Sequence, residues 1–342
     1  MKKKIKVAVL MGGKTPEYEI SLISGCEVVK NLPKKFEVFP VVISRNGKKW
    51  QLFGKQKLFL LEDPIKLRGT NKDIKLPEDK ELVNVGQISD RVDVCFIAMH
   101  GPFGEDGTIQ GMLELAGIPY TGPGILASAL GMDKIMFRKI LATEGIRSPK
   151  YVVIEEGEPT EKIVNSLGKP PYFVKPHNQG SSVGASIVRS NSAMPKALNL
   201  VSEYSNKALV DEYISGIEVT CGVLGNKRLV ALPIVEIIPL KGEFFNYESK
   251  YTESGAEEIV PARISSSLSA KIQKIALDVY KAVGCKGFSR VDFILKDKKK
   301  PYVLEINTIP GLTPMSLLPK AAKAAGYSYP RLLEKIITYA FT

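Results

Sequence analysis

The chemically capable residues concentrate in the last third of the chain. Arg290, Asp292, Glu305 and Asn307 occupy two strand-like segments joined by a turn over 296–300. Residues two apart share a strand face, so Arg290 goes with Asp292, and Glu305 with Asn307. A hairpin would collect all four on one face. Two carboxylates and an amide, without imidazole or thiolate, suit a hard cation, most naturally Mg²⁺ shared with phosphates. An exposed hairpin face with alternating charges would carry the same pattern, and periodicity alone leaves both readings open. A second feature is Lys175-Pro176-His177-Asn178-Gln179-Gly180-Ser181-Ser182-Val183-Gly184. A lysine at a strand end, followed by a glycine/serine loop, offers a phosphate one cation, backbone N–H groups and hydroxyls. Gly180 and Gly184 would let the backbone approach closely. An ordinary β-hairpin loop has similar composition. His177 reads as a loop histidine. His100 instead ends a buried strand just before a glycine-rich loop, where sites of α/β domains lie.

These residues need a scaffold, and the hydrophobic patterning supplies one. Strands are expected over 4–11, 38–44 and 92–100, with helices over 20–32 and 108–116. This alternation predicts a small α/β domain with sites at the carboxyl ends of its strands. The Pro/Gly-rich stretch 117–124 marks a boundary. A helix over 133–143 and strands over 151–154, 172–175, 185–188 and 208–213 follow. Ser215-Gly216 marks a second boundary. Beyond it, 218–224, 229–237, 287–295 and 302–306 read as strands, and 268–283 and 330–339 as helices. The lysine-rich segment 46–93 reads as surface excursions.

Composition bounds the rest. The chain has 342 residues, 44% hydrophobic and 25% charged, which is ordinary globular usage. Its formal charge of +12 raises nucleic acid, membrane surfaces and small anions as partners. The excess is diffuse, which predicts a solubilising surface. Four cysteines lie far apart with no C-x-x-C pair, as expected of reduced thiols and not of a disulfide framework or a zinc site. The basic start is followed by an apolar run over only 7–11, too short for a signal peptide. The uncharged run 115–132 holds Gly117, Pro119, Gly122, Pro123, Gly124 and Gly131, so it cannot be one lipid-spanning helix. A cytoplasmic protein with no membrane or nucleic-acid partner is expected. Two nucleotide signatures nearly match and fail. Ala8 replaces the first glycine of a phosphate loop ending at Thr15, and Pro16 interrupts its helix. Gly122-Pro123-Gly124-Ile125-Leu126-Ala127 lacks both a full preceding strand and a strand-end acid.

Read jointly, the motifs resemble the D-alanine–D-alanine ligases of the ATP-grasp superfamily. The resemblance runs in order over about 300 residues. It includes Met11-Gly12-Gly13 with Pro16-Glu17-Tyr18-Glu19-Ile20-Ser21, then Met99-His100-Gly101 with Gly104-Glu105-Asp106-Gly107. Tyr120-Thr121-Gly122 with Met132-Asp133-Lys134, the Lys175 loop, Asn246-Tyr247-Glu248-Ser249-Lys250-Tyr251, and Glu305-Ile306-Asn307-Thr308-Ile309-Pro310-Gly311 complete it. The resemblance implies an α/β, three-domain ATP-grasp architecture with an N-terminal Rossmann-like domain, divided as 1–122, 123–211 and 212–342.

It also implies roles. Lys134 and Lys175 hold ATP phosphates, with Ser182 and Lys250 beside them. Asp211, Glu212, Tyr213 and Ile214 form the adenine-side strand, and Glu218 accepts from the ribose. Asp292, Glu305 and Asn307 hold two Mg²⁺ ions, which Mn²⁺ could replace. Arg290 and the Gly311 N–H stabilise developing oxygen charge. Glu17 binds the ammonium of the first D-alanine, with His100 alongside. Ser316 and Leu317 bind the carboxylate of the second. Ser181, Tyr251 and Glu17 link to close the loop. The implied activity joins two D-alanines through a D-alanyl phosphate, for peptidoglycan precursors, in a homodimer. A D-alanine–D-lactate or D-alanine–D-serine ligase is the alternative on this fold, and Tyr251 argues against the lactate type. A basic nucleic-acid-binding protein is the remote one, and the chain lacks a basic cluster with interleaved aromatics.

Overall fold

The computed structural model describes residues 4–54, 80–240 and 255–342. Lys250 and Tyr251 lie outside the described residues, as does the rest of the motif 246–251. Three sheets organise the chain. The first has the order β4-β3-β2-β1-β5. β1 (Ile5–Gly12) pairs in parallel with β2 (Phe36–Ile43) and β5 (Val94–Ile97). Val7 to Met11 are fully buried, as a continuous apolar run must be when both faces of a parallel strand are covered. The helix Tyr18–Asn31 makes the crossover between β1 and β2. β1 stops at Gly12, whose φ of +81° and 2.5 Å approach of an added Cβ to Ile43 O admit no larger residue.

One expectation is corrected here. Segment 46–93 is not merely a surface excursion. β3 (Trp50–Leu52) and β4 (Glu81–Val83) extend the first sheet antiparallel at its edge. Trp50 and Phe53 are buried in the core. Their signal is three or four residues long and flanked by lysines, so charge obscured it.

The second sheet has the order β6-β9-β7-β8. Its strands are β6 (Tyr151–Glu155), β7 (Tyr172–Pro176), β8 (Ser186–Val188) and β9 (Lys207–Glu212), all antiparallel. The third runs β13-β12-β10-β14-β15, with β11 on β10. These are β10 (Gly216–Leu224), β11 (Val230–Ala231), β12 (Val235–Pro239), β13 (Ala256–Ile259), β14 (Phe288–Lys296) and β15 (Lys300–Asn307). The single strand expected over 229–237 is broken into β11 and β12. Pro233 lies in the break and has no N–H to give a ladder. The helices Leu317–Ala324 and Tyr329–Tyr339 return to the first sheet: Leu317, Leu332 and Ile336 share one core cluster with Val9 and Phe96. Residues near the end of the chain therefore help to seat the first unit.

All four cysteines are free and buried. Burial pushes the thiols of Cys26, Cys95, Cys221 and Cys285 up to about 12. Among the described residues no helix is long and apolar enough to cross a membrane.

Candidate active site

A cavity of about 550 Å³ is lined by residues of the second and third sheets. The β14–β15 hairpin forms part of one wall. Its register places Arg290 opposite Asn307 and Asp292 opposite Glu305, with an irregularity just after Asp292. The four polar residues do share a face, and Arg290 and Asp292 are buried. This removes the exposed-hairpin reading.

Asp292 accepts hydrogen bonds from three side chains. Arg290 Nε and Nη2 reach its two oxygens at 2.8 Å each. Asn307 Nδ2 donates at 2.8 Å and Thr220 Oγ1 at 2.6 Å. Burial alone would lower the Arg290 pKa, but the adjoining Asp292 carboxylate reverses this and raises it. Asp292 and Glu305 line the cavity, whereas Asn307 meets it through its bond to Asp292. With the Asn307 amide, the donor set is all oxygen and fits a hard divalent cation. Among the described residues no group of three or more His, Cys, Asp or Glu side chains could hold a metal ion, so the oxygen set here depends on the Asn307 amide.

Two buried lysines face this wall. Lys134 opens the helix Lys134–Thr143, whose N-terminus Asp133 caps by accepting from Ile135 N and Met136 N. Its Nζ donates to Gln179 O at 2.7 Å and lies 3.4 Å from Glu305 Oε2. Lys175, on β7, pairs with Asp211 at 2.9 Å. Burial lowers the Lys175 pKa, and Asp211 offsets part of that shift. Ser182, Glu212, Tyr213, Ile214 and Glu218 also line the cavity. The Asp211 carboxylate is tied to Lys175 and Arg138, so its side chain serves the lysine end.

The loop after Lys175 makes the close approach expected of Gly180 and Gly184 and adds strain at two serines. Ser181 and Ser182 take left-handed backbone, with φ of 49° and 58°. Such non-glycine conformations cost of order 1–3 kcal/mol each and must be held by surrounding contacts. One is visible: Ser181 Oγ donates to Glu17 Oε1. Gly180 contributes by its size, because an added Cβ would come within 3.1 Å of Glu17 Oε2. Gly184 is left-handed as well, at 70°.

Glu17 is buried. Its loop is tied to the end of the β5 segment, since Thr15 Oγ1 donates to His100 O at 2.9 Å and accepts from Glu17 N at 3.1 Å. His100 is buried, with Nδ1 donating to Ile309 O at 3.0 Å and Nε2 2.8 Å from Ser24 Oγ. Burial would lower its pKa, but the Glu105 carboxylate, 3.5 Å from Nδ1, turns the net shift upward. Gly311 packs against Ser316, with 2.8 Å from an added Cβ to Ser316 Oγ. Ser316 precedes the helix Leu317–Ala324, and its Oγ accepts from Thr313 N at 3.2 Å. The Leu317 side chain lies in the core, leaving its backbone as the group a ligand could meet.

Sequence reasoning assigned no role to Arg138, Thr220, Glu105 or Ser24. The first two left a readable signal. Arg138 stands four residues after Lys134, on the same helix face, among core residues Phe137 and Leu141. Thr220 stands two after Glu218 on β10 and so shares its face.

Residues 6–123 match the model of the D-ala D-ala ligase N-terminus and residues 140–338 that of the D-ala D-ala ligase C-terminus. A D-alanine–D-alanine ligase of Pelotomaculum thermopropionicum is 39% identical over 98% of this chain and 96% of its own. The crystal structure of VanG D-Ala:D-Ser ligase from Enterococcus faecalis superimposes with a TM-score of 0.85 at 35% identity, over 98% of this chain and 99% of that one. The Bacillus anthracis D-alanine–D-alanine ligase complexed with ATP gives 0.76 at 33% identity, over 98% and 97%. With two family models spanning both halves and relatives aligned end to end, the chain belongs to the D-alanine–D-alanine ligase family and has its ATP-grasp fold.

Proposed function

We propose that this protein joins two D-alanine molecules into D-alanyl-D-alanine for peptidoglycan synthesis, consuming ATP and releasing ADP and phosphate. The observation that carries this reading is the family match over residues 6–123 and 140–338. A carboxylate is a poor electrophile at neutral pH, so its oxygen first takes the γ-phosphoryl group, and the bond to ADP breaks. The amine of a second D-alanine attacks the acyl carbon and loses a proton. Phosphate then leaves the tetrahedral intermediate. Lys134 and Lys175 supply positive charge to the phosphates. Glu17 holds the first ammonium beside His100. Arg290 and the Gly311 N–H stabilise the developing oxyanion. Ser316 and the backbone of Leu317 hold the second carboxylate. The backbone of Asp211 to Ile214, with Glu218, forms the nucleoside end, while the Asp211 carboxylate faces Lys175. Ser181 closes its loop onto Glu17 and excludes water from the acyl phosphate.

Asp292, Glu305 and Asn307 would hold Mg²⁺, two ions in our reading with Mn²⁺ as a substitute; bound there, the metal neutralises phosphate charge. Lys250, at the phosphates, and Tyr251, linked with Ser181 and Glu17, are proposed on the family resemblance alone and lie outside the described residues. We read the chain as three domains divided at 122/123 and 211/212; the three sheets favour a threefold division, with the second boundary after Glu212, the last residue of β9. A cytoplasmic homodimer with no nucleic-acid partner completes the reading.

The test is phosphate release from ATP and Mg²⁺ with D-alanine, compared with L-alanine, D-serine and D-lactate, and identification of the product by mass. D-alanine-dependent release with a D-alanyl-D-alanine product is expected. No such release overturns the reading. A D-alanyl-D-serine product would instead align the chain with the D-Ala:D-Ser activity named for the VanG structure.

A further inference from the structure

Arg138 is fully buried, on a helix that meets both walls of the cavity. Its Nη1 donates to Val303 O on β15 at 2.8 Å, and its Nη2 lies 3.2 Å from Asp211 Oδ2 on β9. The same Asp211 oxygen pairs with Lys175 Nζ at 2.9 Å. One guanidinium thus ties the sheet that carries Lys175 to the strand that carries Glu305 and Asn307. Lys134, four residues earlier, spans the same gap through Gln179 O and Glu305.

Charge gives this arrangement a consequence beyond packing. Lys175 and Asp211 alone sum to zero, so a polyphosphate beside them meets a dipole. With Arg138 the cluster carries a net charge of +1, and Arg138 shares with Lys175 the Asp211 oxygen that both reach. Asp211 then orients the lysine without cancelling its attraction for an anion. In a buried, low-dielectric setting that difference is large compared with its value in water.

We propose that Arg138 is the positioning residue of the phosphate site: it neutralises Asp211, fixes Lys175 through it, and holds the two cavity walls in register. The proposal rests on the reading of this cavity as a nucleotide site. It concerns the triphosphate end only and does not involve the base.

The test compares binding of ATP and of adenosine by calorimetry in wild type, Arg138→Met and Arg138→Lys. Arg138→Met leaves Asp211 paired with Lys175, so no carboxylate is stranded. Wild type should bind ATP with Mg²⁺ more tightly than adenosine. In Arg138→Met, ATP affinity should fall by roughly 10- to 100-fold, as for losing one buried charge contact, while adenosine affinity stays within about twofold. Arg138→Lys keeps the charge but cannot reach both acceptors, so its ATP affinity should lie between the two. In turnover assays the loss should show in KM for ATP and not in KM for D-alanine.

Equal losses for ATP and adenosine would mean that Arg138 only supports the fold, and would overturn the proposal. So would unchanged ATP binding. Asp211→Asn provides a second route should Arg138→Met fail to fold: with Arg138 present its cluster gains positive charge but loses the lysine's anchor. ATP affinity in that variant unchanged or tighter than wild type would also overturn the proposal. If wild type binds ATP but shows no D-alanine-dependent turnover, the proposed ligase activity fails while the Arg138 test still reads.

Discussion

Ser181 donates a hydrogen bond to the Glu17 carboxylate across 164 residues of sequence. The bond joins the loop after β7 to the loop after β1. Ser181 is held in left-handed backbone at φ 49°, and the packing of Gly180 against Glu17 keeps the two loops close. The geometry links the phosphate end of the cavity with the buried acid proposed to bind substrate.

Ser181→Ala should lower kcat/KM for D-alanine by roughly 10- to 100-fold, as expected when a positioning contact is lost. The thermal midpoint should change little, because the loop is partly exposed. Steady-state kinetics with D-alanine varied at saturating ATP checks this. Unchanged kinetics would remove Ser181 from the closure.

Arg290→Lys should be nearly as inactive as Arg290→Ala. The guanidinium forks onto both Asp292 oxygens at 2.8 Å, and a single ammonium cannot reproduce that fork. Loss of one oxyanion donor typically costs roughly 10²–10³ in rate. A lysine variant with wild-type turnover would show that Arg290 supplies only charge.

Chelation of divalent ions should abolish turnover, and added Mg²⁺ should restore it, with Mn²⁺ also effective. Asn307→Ala removes an oxygen donor and the 2.8 Å bond to Asp292. The Mg²⁺ concentration for half-maximal rate should rise by roughly 10- to 100-fold. Metal titrations of both proteins measure it, and identical half-saturation would take Asn307 out of the ligand set.

His100 has a raised pKa relative to its ordinary 6.5, because the Glu105 carboxylate outweighs the lowering effect of burial. A raised histidine pKa contributes stability that is fully present below pH 6.5 and is lost as pH rises through the folded-state value. The stability gap between wild type and His100→Gln should therefore be larger near about pH 6 than near about pH 9. Urea midpoints at the two pH values report it. A gap that widens with rising pH would reverse the sign assigned here.

Legibility followed the range of the signal. Period-two alternation placed Arg290, Asp292, Glu305 and Asn307 on one hairpin face, and the register agrees. Helical spacing located the helix beginning at Lys134, and Asp133 caps it. The short edge strands β3 and β4 were missed, because three residues amid lysines carry little periodicity. β11 and β12 were merged, because the apolar run hid the break at Pro233.

By itself, the sequence determined the residue types, their spacing along each element and the order of motifs that marks the family. Local steric periodicity is enough for that. Only the tertiary structure decided which charged and polar groups pair: Asp211 with both Lys175 and Arg138, Asp292 with Arg290 and Asn307, Glu17 with Ser181. Most of these partners come from different elements, and Coulomb and hydrogen-bond energies depend on separations of a few ångströms. Apart from Arg290 with Asp292, two apart on β14, such distances arise only when the elements pack, so no spacing within one strand or helix encodes them.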